Sequence, residues 1–180
     1  MSNFKELEEF LRRQKDTEQK VNWDLQKENF IHATDVFYSQ IQDFLIPLVD
    51  EGLLSVDFVN SSITEDYVGT YDIRTMLIKS GNQRVTIFPV GSAVIGAYGR
   101  IDMRGDNGRV TFLWVPRSAH RPRAILTMAA GDQRLPQSPS PKGVPPAERA
   151  WKIATPPPDI RFIDLNPESF SDALMSVLHE

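Results

Sequence analysis

Apolar residues recur at steps of three and four in the first fifty positions, and at steps of two thereafter. In "NFKELEEFLRRQ", Phe4, Leu7, Phe10 and Leu11 make one stripe of a helix. Asn3 stands where a cap accepts from backbone N–H groups, with Glu6 three residues on. The polar run "KDTEQK" ends that stripe. A longer helix is predicted from about Trp23 to about Val49, with Phe30, Phe37, Ile41, Phe44, Leu45 and Leu48 on its inner face. Lys27, Glu28, Asp35, Gln40 and Asp43 mark the other face. Pro47 is expected to kink this helix or end it near Ile46, and Gly52 supplies a stop.

From Leu53 alternation takes over. "LLSVDFVNSS" reads as a strand. "YDIRTMLIKS" and "QRVTIFPV" flank Gly81-Asn82, a two-residue hairpin signal. "GRIDMRG" and "GRVTFLWV" flank a second turn at Asp106-Asn107-Gly108. "AWKIA" and "RFIDL" are further short strands, the first anchored by Trp151. At the end Asn166 caps a helix with Pro167 in its first position and Leu165 and Phe170 placed as a staple. Phe170, Ala173, Leu174, Val177 and Leu178 form its apolar side.

These elements predict an α+β fold: a curved antiparallel sheet of five to seven strands, packed by the long N-terminal helix and the C-terminal helix. The chain reads as one domain over 1–180. It comprises a helical part (1–52), a sheet (53–134), a proline-rich loop (135–159), and a closing strand and helix (160–180). Eight of the thirteen prolines fall between Leu135 and Asp159, and residues 135–149 are expected to be extended. "PQSP" there is a minimal Pro-x-x-P, read as plain loop.

The stretch "PVGSAVIGAYGRIDMRGDNGRV" carries five glycines, at 91, 96, 99, 105 and 108. A phosphate cradle sets its glycines between a strand and a helix, usually with Lys-Ser/Thr following. Here they lead from strand to strand, so they are expected to bend the sheet.

Composition narrows the chemistry. The net charge of −4 gives nucleic acid no support, although it stays an alternative partner. Residues 1–50 hold six Lys/Arg against ten Asp/Glu, out of 20 and 24 in all, so the acidic excess lies there. With no cysteine, thiol chemistry and disulfides are absent. The charged N-terminus and the lack of a long apolar run point to a cytoplasmic chain without a membrane span. His32, His120 and His179 have no metal-ligand spacing. Ser92 follows Gly91 without a nucleophile elbow. Asn60-Ser-Ser is read as a chance match to a glycosylation acceptor.

Two clusters remain. Arg117, His120, Arg121 and Arg123 lie within seven residues, stiffened by Pro116 and Pro122. Such a turn suits a phosphate, a carboxylate or an acidic protein face, or pairs within the chain. Asp72 and Asp102, with Arg104 two residues on, are the nearest approach to a metal-dependent nuclease pattern. The leading expectation is therefore a non-enzymatic binding or adaptor protein, with no cofactor and no metal, that engages a protein partner or itself. The alternatives are a metal-dependent phosphodiesterase or nuclease using Asp72, Asp102 and Arg104, and a small-ligand binder using the sheet concavity near Gly96–Gly99.

Overall fold

The computed structural model describes residues 2–18, 22–94, 96–122 and 144–178. Two helices, α1 (Ser2–Glu18) and α2 (Trp23–Asp50), precede five strands: β1 (Ser55–Glu65), β2 (Gly69–Ser80), β3 (Gln83–Gly91), β4 (Gly99–Gly105) and β5 (Gly108–Pro116). A short 3-10 turn (Pro146–Glu148) leads to β6 (Arg149–Ala154) and β7 (Phe162–Asp164), and α3 (Pro167–Val177) closes the chain. The seven strands form one open antiparallel sheet in sequence order. This is the α+β arrangement that the alternation and the turn signals predict.

One sheet face carries the main core. Phe30, Phe37, Tyr38, Ile41 and Leu45 of α2 meet Met76, Ile87, Ile101, Met103, Phe112, Trp151 and Ile153, all buried. Phe37 sits 5.0 Å from Phe112 and 5.3 Å from Trp151, ring centre to ring centre. Val115, next to Trp114 in the alternation, faces the other way into a smaller cluster with Ala97 and Phe162.

Asn166 caps α3 as expected, in a reciprocal pair of bonds with Ser169. Phe170 and Leu174 are buried, each contributing roughly 1.5–3 kcal/mol. The far end of α3 is held by the β4–β5 turn, where Asn107 N–H donates to the Val177 carbonyl at 3.1 Å. That approach explains Gly105: a Cβ there would lie 2.2 Å from the same carbonyl oxygen.

Curvature arises at two places. The register shifts between Pro89 and Gly91. β2 pairs with β3 only from Met76 to Ser80, so the rest of the β1–β2 hairpin leaves the sheet. Tyr38 stands in that fork and shares its hydroxyl proton between the carbonyls of Arg74 (2.7 Å) and Ile87 (3.2 Å). Burial pushes this phenol above its ordinary pKa. The hairpin tip then reaches the start of α2, where Tyr67 stacks on Trp23 at 5.6 Å.

Two helix ends differ from expectation. α2 continues through Pro47 to Asp50. A proline so near the end removes one ladder bond, and the last turn is closed by Leu53 N–H to Leu48 O and Gly52 N–H to Val49 O, with Gly52 at φ 71°. α1 begins at Ser2, so Asn3 lies inside it.

Candidate functional site

Between α2 and β6 lies a groove of about 750 Å³, within the size range of binding clefts. Its α2 wall is Asn29, His32, Ala33, Val36 and Gln40, a second stripe at three- and four-residue steps beside the core stripe. Val36 is 51% exposed there. The opposite wall is β6 and the turn before it: Pro146, Ala147, Arg149, Ala150 and Trp151. Leu165 adds apolar surface, the nearly buried Trp114 adds little, and Arg117, Lys152 and Asp164 add charge.

Two contacts fix this geometry. Trp151 Nε1–H donates to the Ala33 carbonyl at 2.8 Å, tying β6 to α2. Arg149 lies over the Tyr98 ring at 3.5 Å and the Trp114 ring at 4.8 Å, and its Nε–H donates to Val144 O at 2.9 Å. Burial draws the Arg149 guanidinium below its ordinary pKa, with Tyr98 opposing the shift; it stays cationic.

Asp164 is paired with Lys152 at 3.0 Å. The Lys152 ammonium, almost wholly buried, also donates to Ala119 O at 2.8 Å. The remaining cations of the lining are the guanidiniums of Arg117 and Arg149. Among the described lining residues there is no hydroxyl or thiol. The groove offers two guanidiniums, the His32 imidazole, the Lys152-paired Asp164 carboxylate, amides and apolar surface, a set that can bind an anionic and apolar group.

The predicted arginine turn is only partly at this site. Arg117 lines the groove and its Nη2–H approaches the carbonyls of Ala147 and Arg149, both at 3.5 Å. Arg121 points to Asp159 at 3.9 Å, and Asp159 is held more closely by Arg161 at 2.8 Å. His120 is exposed, and its backbone carbonyl accepts from Phe162 N–H at 2.9 Å. Arg123, the "PQSP" motif and His179 lie outside the described residues.

The carboxylates of the nuclease pattern are not brought together. Asp72 is exposed on the part of β2 that pairs only with β1, and β3 separates β2 from β4. Asp102 is buried: Arg100 donates to both of its oxygens at 2.8 Å, and Thr111 donates to Oδ1 at 3.0 Å. Arg104 is exposed, directly across from Arg109. Among the described residues no three of His, Asp and Glu are grouped to hold a metal.

The glycine-rich stretch does aim main-chain amides at an anion, but the anion is internal. Glu65 Oε2 accepts from Ser92 N–H at 2.8 Å and Ala93 N–H at 2.7 Å. Ser92 Oγ–H donates to Glu65 at 3.0 Å and accepts from Gln26 at 3.1 Å, while Tyr71 donates to the same carboxylate. At Gly99 the concave face is taken by Phe30, whose ring would lie 2.6 Å from an added Cβ.

Sequence reasoning missed the groove because its walls lie far apart in the chain. A signal was present in α2: Asn29, His32, Ala33, Val36 and Gln40 share helical spacing, and Val36 sits among polar neighbours. Comparison with protein-family models, with curated proteins and with solved structures returns no match. Among the described residues no helix is long and apolar enough to cross a membrane.

Proposed function

We propose that this chain is a non-catalytic docking module, and that the groove between α2 and β6 takes a protein segment bearing apolar residues flanked by carboxylates. The observation that carries this reading is the lining itself: Val36, Pro146, Ala147 and Leu165 supply accessible apolar area, and Arg117 and Arg149 supply positive charge beside it. Apolar contact gives affinity, and guanidinium–carboxylate pairs fix the register.

The test is photocrosslinking in cells. A photoreactive residue at Val36 is expected to give protein adducts that Arg117→Glu removes. The same residue at Arg84, an exposed position on β3, is the control. No protein adduct at Val36, or equal adducts at both positions, defeats the reading.

A further inference from the structure

Resting on that docking reading, we infer that the segment taken by the groove is α1 of a second copy of the same chain. The first observation is α1 itself. Phe4, Leu7, Phe10 and Leu11 are 74%, 51%, 57% and 55% exposed, so the whole predicted stripe faces solvent. In proteins an amphipathic helix draws most of its stability from packing its apolar face, and four large apolar groups in one stripe call for a covering surface.

The groove has the complementary character. At about 3.6 residues per turn, Glu6 and Glu8 fall on the two shoulders of the α1 stripe. The groove sets Arg117 and Arg149 around apolar surface. Glu8 also holds Arg12 at 2.8 Å, with both side chains at least half exposed, so that pair competes weakly. The lengths agree: at 1.5 Å per residue the stripe from Phe4 to Leu11 spans about 10 Å, and the α2 wall from Asn29 to Gln40 about 16 Å. In the isolated chain α1 does not cover its own groove, since its stripe and Val36 are exposed together. Two copies satisfy both needs at once: each lays α1 into the other's groove, giving two equivalent contacts about a two-fold axis.

The measurement is the mass of the full chain in solution by light scattering and sedimentation, from about 1 to 100 μM, a range that brackets micromolar association. The wild-type chain is expected to dimerise, more weakly as salt rises. Leu7→Glu with Leu11→Glu should weaken the dimer about a hundredfold, and so should Val36→Glu with Arg117→Glu. All four positions are exposed, and unchanged circular dichroism will show that both variants stay folded. Mixing the two variants should yield a heterodimer weaker than the wild-type dimer, because only one of its two contacts, the intact helix in the intact groove, is restored.

A wild-type monomer throughout overturns the inference, whether α1 folds back on its own groove or stays undocked. A dimer that resists the groove substitutions overturns it as well, since α1 would then pair with α1 or another face. In either case a foreign protein crosslinked at Val36 preserves the docking reading, and the absence of any adduct there removes both.

Discussion

Asp102→Asn tests whether the buried carboxylate of β4 is an ion-pair node or a metal ligand. Asp102 is 2% exposed, and both oxygens are taken by Arg100 at 2.8 Å, with Thr111 at 3.0 Å. Asparagine keeps the shape but removes the charge, and its NH₂ would face a guanidinium donor. Breaking a buried pair costs about 3–5 kcal/mol when the remaining charge stays buried. Arg100 is 33% exposed and can turn toward water, so the expected loss is about 2–3 kcal/mol. For a chain of this size that is a fall of about 5–10 °C in Tm. Urea unfolding followed by circular dichroism should show a lower midpoint at unchanged slope. The wild-type midpoint should not move with millimolar Mg²⁺. A shift under about 0.5 kcal/mol would refute the ion-pair account. A Mg²⁺-dependent rise that the substitution abolishes would instead establish a metal at this carboxylate.

Gly105→Ala sets a Cβ 2.2 Å from the Val177 carbonyl oxygen. It should cost about 3 kcal/mol by urea unfolding, and a neutral result would show that the end of α3 yields freely. Thr34 is buried with no partner for its hydroxyl, so Thr34→Val should be neutral or stabilising by up to about 1 kcal/mol in the same assay. Leu174→Asp buries an unpaired charge in the core and is expected to abolish soluble expression; a folded protein with unchanged melting would show that α3 does not need to dock. Burial raises the phenols of Tyr38 and Tyr71 above their ordinary pKa of 10.0. Native structure therefore favours their neutral form, and the stability this contributes is present below pH 10.0 and declines as pH rises above it. Titration by phenolate absorbance should show two tyrosines ionising late, and Tyr38→Phe should remove one of them.

Local signals reported the elements well where each residue had one job. "QRVTIFPV" alternates because one face must be buried, Gly81 takes the positive φ of its turn, and Asn166 with Pro167 opens α3. The helix does not end near Ile46, one of the two outcomes expected at Pro47, because a proline's cost depends on how many ladder bonds remain beyond it, and here the turn at Gly52 closes the helix. Alternation could place Asp102 on the outward face, but not show that Arg100, two residues away on the same face, would cover it. The Glu65–Ser92 contact joins residues 27 apart. The groove joins α2 to β6 across more than a hundred positions. No periodicity encodes such meetings, which depend on how far the hairpin fork and the Pro89–Gly91 shift bend the sheet.

The same bending decides where charge can act on a partner. Arg84 and Arg104 are exposed on an open sheet surface, where water and salt screen a cation within about 10 Å. Arg74 is held by Asp35, Arg100 by Asp102 and Arg161 by Asp159. Arg117 and Arg149 differ in position. They border a concavity walled by Trp114 and Trp151, and Arg149 is already stacked on Tyr98 and Trp114. A carboxylate entering there meets the part-buried Arg149 guanidinium with less water between them, so that pair is stronger than its counterpart on the open sheet. An acidic segment without apolar residues would gain the ion pairs but not the contact with Val36, Ala147 and Leu165. The groove should therefore prefer an amphipathic occupant to a merely charged one.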